Sequence, residues 1–380
     1  MPREPSPPRL TWKQVLNWRV ERHHLGERAA AGGLSPVVAR ICGLHAQLMS
    51  SAKLSAWARV ENLPRDAIQR ALWDERSLLK TWAMRGTLHL LPSAEYSLWR
   101  ASLGTYDHYL KGAWLRAYGL SASELENLIE VIGEVLDGQM LTREELAQRV
   151  GEKLGSKDLP ERMTGSWGSM LKPAAFRGEL CFAPSSGRNV RFTRPQGWLR
   201  PGRPIESQKA MREVTRRYLG AYGPSTREDL SRWWGGFSAA KARKAFEALG
   251  DQALLVEVEG TESWMLKEHL EQVAAATPQK SARLLPAFDP YVIGAPRSQP
   301  RVLGAEEKPR VFRPQGWVSP VVIVNGRIAG IWKHEKKGGI VRVQVEPFET
   351  IPAWARRKVR TETERLAAFL EGEPLLEFED

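Results

Sequence analysis

Leu141-Thr-Arg-Glu-Glu-Leu146 and Ser225-Thr-Arg-Glu-Asp-Leu230 set a threonine ahead of acids and a leucine, at matching places in two stretches of the chain. A threonine hydroxyl that caps the first open N–H groups, with acids at the positive end of the helix dipole, marks a helix start. In each stretch a turn and a second helical run follow, over residues 169–177 in one and 238–249 in the other. Two strand-like runs then close each stretch, 179–182 with 189–192 and 253–258 with 263–266, each pair split by a glycine-containing turn. Helix, turn, helix, hairpin is a winged-helix plan, whose second helix can enter a groove of a duplex while the hairpin flanks it. The same small unit also serves as a plain packing module.

The N-terminal part offers a third copy, with helices expected over 11–22, 36–44, 54–62 and 64–75 and a strand-like run over 79–91. Three copies in series predict a curved array. The last part differs. In Val321-Val-Ile-Val-Asn-Gly-Arg-Ile-Ala-Gly-Ile-Trp332 two apolar runs flank Asn325-Gly326, the strongest short hairpin signal, and a strand over 341–345 and a helix over 353–370 follow. The expected fold is α+β, mainly α: three tandem winged-helix units over 1–110, 111–205 and 206–275, then a β-rich extension with a closing helix over 276–380. The string Arg-Pro-Gln-Gly-Trp occurs twice, ending at Trp198 and at Trp317, and reads as a Pro-Gly turn pinned by a buried tryptophan.

With 380 residues the chain is too long for one ordinary core. Lys and Arg number 56 against 44 acids, a net charge of +12 that points to a polyanionic partner. Basic chains also include ribosome- and membrane-surface proteins, so the organisation of the chain has to decide. Cys42 and Cys181 are the only cysteines and lack zinc or disulfide spacing, which implies a reducing compartment and no structural metal. The opening Met-Pro-Arg-Glu-Pro-Ser-Pro-Pro lacks a signal-peptide core, and no stretch approaches the roughly 18 apolar residues of a membrane helix. A cytoplasmic location, in the bacterial cytosol or nucleoid, is expected.

No Walker loop, dinucleotide-binding glycine motif, His-Glu-x-x-His helix or nucleophile elbow is present. Ile41-Cys-Gly-Leu-His-Ala-Gln-Leu-Met-Ser-Ser51 is the unusual segment. In a continuous helix His45 and Gln47 would diverge by about 200°, whereas an extended chain beyond Leu44 turns Ala46 inward and aims His45 and Gln47 at one cleft. In Thr81-Trp-Ala-Met-Arg-Gly-Thr-Leu-His-Leu90, strict alternation would put Arg85, Thr87 and His89 on one strand face, either bordering that cleft or forming a solvated wing. Leu285-Pro-Ala-Phe-Asp-Pro-Tyr291, followed by Arg297, carries an acid that either contacts the partner or caps a turn. Arg327, Lys333, Lys336 and Lys337 surround the C-terminal hairpin as a candidate phosphate-contacting edge. Ser50 and Ser51, at the end of the unusual segment, join the DNA-contact candidates.

Gly43-Leu-His-Ala-Gln47, Trp82-Ala-Met-Arg-Gly-Thr-Leu-His89 and Leu285-Pro-Ala-Phe-Asp289 together resemble the AlkZ/YcaQ-type DNA glycosylases, and the likeness runs over nearly the whole chain. The resemblance implies three tandem winged helices forming a C-shaped groove with a small β-rich extension. It also implies a monofunctional, metal-free, cofactor-free enzyme that removes bulky N7-alkylated purines and, in some members, unhooks interstrand crosslinks. The implied partner is double-stranded DNA carrying alkylated bases, bound by a monomer. The family signature is Gln-aliphatic-Gln: Gln47 matches the second glutamine, Ala46 the middle, and His45 stands where the first glutamine is expected. The implied catalytic residues are therefore His45 and Gln47. An N7-alkylated purine is already cationic and leaves readily, so a Gln47 amide oxygen holding water and a neutral His45 orienting or deprotonating it would suffice. A protonated His45 would repel the developing oxocarbenium.

Two other classes fit the repeats and the charge. A non-catalytic tandem winged-helix regulator needs no His45–Gln47 cleft, and a protein that only sequesters modified DNA would bind without turnover. Alkali-labile sites left in alkylated DNA separate the enzyme from both.

Overall fold

The computed structural model describes residues 6–166, 168–200 and 202–379, so most of the opening segment scanned for a signal peptide, residues 1–5, lies outside the described residues. The chain is α+β, about 47% helix and 21% strand, so helix outweighs strand as the mainly-α expectation holds. It divides into two compact units.

The first unit takes in the described residues up to Ala67, Thr215–Trp233, and the described residues from Phe237 onward. Its first helix, Trp12–Arg22, starts where Thr11 accepts from the Gln14 amide and Gln14 returns the bond, a reciprocal cap that fixes the expected start. At the second expected cap, Thr226 Oγ1 accepts from the Asp229 N–H at 3.2 Å and Asp229 accepts from the Thr226 N–H at 3.3 Å, opening the helix Arg227–Trp234. The helix Ala239–Glu247 and the hairpin Ala253–Val258 with Thr261–Leu266 follow, and Arg9–Leu10 joins that hairpin in parallel. Leu10, Trp12, Val15, Val256, Val258 and Met265 share one core beneath it.

The C-terminal part of this unit is a five-stranded sheet. Ala282–Leu285, Val321–Val324, Arg327–Lys337 and Ile340–Pro347 pair antiparallel in that order, and Glu373–Phe378 adds in parallel at the far edge. Asn325 and Gly326 both have positive φ, 49° and 81°, as the expected two-residue turn requires. The helix Ala353–Phe369 packs along the sheet through Ala355, Val359, Leu366 and Ala367, all fully buried.

The second unit comprises Ile68–Val214 with Trp234–Gly236. The expected cap at Thr142 opens the helix Arg143–Leu154 through a full capping box. Helices Leu159–Gly165 and Lys172–Arg177 lead into the hairpin Cys181–Ser186 with Asn189–Thr193, which Leu141–Thr142 extends to three strands. Trp82 packs on Phe182 at 4.9 Å and Phe182 on Phe192 at 5.0 Å, so the Leu78–Trp82 strand shares its core.

Several N-terminal expectations shift. The helix expected over 36–44 is Leu34–Arg40, because Cys42 and Gly43 take left-handed φ of 62° and 100° and end it. The one expected over 54–62 is Met49–Trp57, and the one over 64–75 begins only at Ala67 and widens into a π turn at Arg70–Asp74. The strand-like run 79–91 is a hairpin, Leu78–Trp82 and Leu88–Pro92, reversing at Arg85 and Gly86 with φ of 60° and 65°.

One buried group sets a pH dependence. His23 is fully buried and donates Nε2–H to the Ala221 carbonyl at 3.2 Å. Burial, reinforced by Arg59, Arg19 and Arg22, holds its imidazole well below the usual histidine range. It stays neutral in the fold while the unfolded chain takes up a proton below about pH 6.5, so stability is lost as pH falls, by up to about 1.4 kcal/mol per pH unit. We expect the melting temperature to drop between pH 7.5 and 5.5, and less steeply in His23→Gln. Parallel profiles would show that His23 is not the group.

Candidate active site

The segment that holds His45 and Gln47 lies in the first unit. After the helix Leu34–Arg40, the Gly43 N–H bonds to the Val38 carbonyl at 2.8 Å, and Tyr222 Oη donates to the Ile41 carbonyl at 2.9 Å. The chain leaves this reversal extended at Leu44–His45 and does not re-enter a helix until Met49. The continuous helix is therefore absent, and the backbone is extended at Leu44–His45. Leu44 and Ala46 are fully buried, His45 is 5% exposed, and Gln47 is exposed in the bend that follows. Leu48, at the cap position of the next helix, offers no side-chain acceptor to its first N–H groups.

His45 has a fixed ring orientation. Its imidazole stacks on Phe288 with centroids 4.8 Å apart and planes 14° from parallel. Phe288 belongs to Leu285-Pro-Ala-Phe-Asp289 and has φ of 59°, an uncommon backbone state for an aromatic residue. Asp289 is fully buried; its two oxygens accept from Arg59 Nη2 and Nη1 at 2.7 and 2.8 Å, and Oδ1 also accepts the Tyr291 N–H at 2.9 Å. Arg59 Nη1 donates further to the Ser55 carbonyl, tying the end of the Met49–Trp57 helix to the segment that carries Phe288.

Asp289 is therefore not a DNA contact, since it has no surface to offer; the alternative of a turn cap is the observed one, because it caps Pro290–Ile293. Ser51 is likewise corrected, being 5% exposed, while Ser50 is exposed on the same helix. Arg297 is half-buried with its guanidinium 4.0 Å from the Phe312 ring centroid.

Arg85, Thr87 and His89 belong to the second unit. The reversal at Arg85 breaks the alternation that would have put them on one strand face, yet it brings them together. Arg85 Nη2 lies 3.2 Å from His89 Nε2, and His89 Nδ1 lies 3.0 Å from the Thr87 carbonyl oxygen. An arginine only donates and a carbonyl only accepts, so His89 is neutral with its proton on Nδ1. Thr87 Oγ1 donates to the Met84 carbonyl, and His89 is 2% exposed, so neither side chain meets a phosphate directly.

The four C-terminal cations spread along the strand Arg327–Lys337 rather than forming one edge. Arg327 pairs with Glu349 at 3.0 Å, Lys333 with Glu379 at 3.4 Å, and Lys336 Nζ donates to the Leu370 carbonyl at 2.7 Å; Lys337 is exposed near the strand end. Sequence reasoning missed Arg59, whose signal was an acid inside an apolar run that burial forces to find a cation.

Among the described residues no group of three or more His, Cys, Asp or Glu is placed to hold a metal ion, and no helix is long and apolar enough to cross a membrane.

A family model described as DNA glycosylase AlkZ-like matches residues 38–369, a span holding both the His45–Gln47 segment and its Asp289 brace. The chain belongs to the AlkZ-like DNA glycosylase family. It is 39% identical over 332 residues to an interstrand DNA cross-link repair glycosylase of Streptomyces sahachiroi, covering 86% of this chain and 88% of the relative. The solved structure of the Streptomyces sahachiroi DNA glycosylase AlkZ aligns with a TM-score of 0.89 at 36% identity, over 98% of this chain and 100% of that one. Family membership indicates a DNA glycosylase.

Proposed function

We propose that this AlkZ-like chain is a monofunctional, metal- and cofactor-free glycosylase that hydrolyses the N-glycosidic bond of N7-alkylated purines in duplex DNA. Bulky N7-alkylguanine adducts and interstrand crosslinks are its substrates, and it acts as a monomer. The observation that carries the reading is the extended Leu44–His45 pair and the bend after it, which bury Ala46, stack His45 on Phe288 and leave Gln47 exposed. The C1′–N9 bond breaks with its electron pair moving onto the cationic purine, which departs neutral. Water held by the Gln47 amide oxygen forms the new C1′–O bond, and its proton passes to neutral His45 and then to solvent.

Three tandem winged-helix units over 1–110, 111–205 and 206–275, with the extension over 276–380, form the DNA groove in this reading. The capped helices and terminal hairpins described above, and the net charge of +12, support it. Ser50, Arg297, Arg85 and Lys337 are proposed DNA contacts.

The test uses a duplex with one 7-methylguanine. We expect an abasic site that breaks only on alkali treatment, at a rate unchanged by a chelator. Absence of alkali-labile breaks overturns the reading, and breaks formed without alkali overturn its monofunctional part.

A further inference from the structure

The string Arg-Pro-Gln-Gly-Trp occurs twice, and the two copies fold differently. At Pro195–Trp198 it forms a short helix that buries Trp198 to 6% exposure beneath the Arg76 guanidinium, 3.8 Å away. At Pro314–Gly316, Gln315 and Gly316 take φ of 60° and 76°, the Arg313 N–H closes the turn on the Trp317 carbonyl at 2.9 Å, and Trp317 stands 40% exposed. The expectation of a buried tryptophan therefore holds for one copy only. Holding an indole in water forgoes the burial that normally stabilises it, and a glutamine in the left-handed region adds strain.

Trp317 is also joined to the active site. Its ring packs T-shaped on Phe288 at 5.0 Å and 73°, and Phe288 in turn stacks on His45. Beside Trp317 opens a cavity of about 330 Å³, with Pro320, Ile331 and the indole of Trp332 as apolar surface and Arg313, Lys333, Glu346 and Glu379 as its charged residues. Trp332 is fixed by donating to the Leu285 carbonyl at 2.7 Å, at the start of the motif that carries Phe288. That volume falls within the range of small-molecule sites, about 300–1,000 Å³.

We propose that Trp317 and this cavity form a subsite for a planar aromatic substituent carried on N7 of the damaged purine. The proposal rests on the glycosylase reading above. A purine reaching His45 and Gln47 has its N7 substituent directed along the His45–Phe288–Trp317 line, where a flat group stacks on the indole. Trp317 is thus a specificity-determining residue, and small alkyl groups gain nothing from it.

The experiment compares duplexes carrying 7-benzylguanine or 7-methylguanine, with wild type, Trp317→Ala and Trp317→Phe. Base release is measured, and so is affinity for the same duplexes made with a 2′-fluoro sugar that blocks departure of the base. Wild type is expected to bind the benzyl duplex about tenfold tighter than the methyl one, the worth of one aromatic stack. Trp317→Ala loses that preference, its benzyl-guanine release falling about tenfold more than its methyl-guanine release, and Trp317→Phe keeps most of it. Absence of a benzyl preference in wild type, a preference that survives in Trp317→Ala, or an equal fall for both lesions overturns the subsite. If wild type releases neither base yet shows a Trp317-dependent benzyl preference in binding, the glycosylase reading fails and the subsite stands.

Discussion

Gln47→Ala is expected to lower release of 7-methylguanine from duplex DNA by about a hundredfold or more, the usual scale for a group that positions or deprotonates the attacking water. Affinity for the duplex should change little. Gln47 is exposed in a bend, and the segment's shape is set by its neighbours, the fully buried Leu44 and Ala46 and the left-handed Cys42 and Gly43. Truncating its side chain therefore leaves fold and DNA-binding surface in place. His45→Ala should lose as much, while His45→Gln, which restores the signature glutamine, is expected to retain base release. Unchanged release in both alanine variants would overturn the assignment of chemistry to this segment.

Much of the scaffold could be read from the chain because its signals are local. Thr142 and Thr226 cap helices within three residues of themselves, and Asn325-Gly326 turns a hairpin through its own backbone. The candidate site was half legible. Local periodicity posed the two geometries for His45 and Gln47 but could not choose between them, since the choice rests on the left-handed pair Cys42 and Gly43. Contacts between distant residues were silent: Asp289 finds Arg59 across 230 positions, and nothing near either residue names the other. The repeated pentapeptide makes the same point, because Trp198 and Trp317 end identical strings yet one is buried and the other exposed. Arg85 shows the opposite error. Its alternation with Thr87 and His89 was real, but the backbone reverses there, and a hairpin assembled the group that a strand face was expected to hold.

The buried ion pair should produce the largest loss of stability in the molecule. Asp289→Asn leaves the Arg59 guanidinium fully buried without its counter-charge, and breaking such a pair costs about 3–5 kcal/mol. The double variant Arg59→Met/Asp289→Leu removes both charges and is expected to regain most of the melting temperature, because an apolar pair of similar volume escapes the desolvation penalty. It should not regain base release. The carboxylate also accepts the Tyr291 N–H two residues on and anchors the residue that follows Phe288, so without it the left-handed backbone at Phe288 relaxes and the plate behind His45 moves. Thermal melts and single-turnover base release, measured side by side, check both halves. A single variant that melts with wild type would overturn the energetic claim, and a double variant that recovers activity along with stability would show that Asp289 braces the fold without positioning His45.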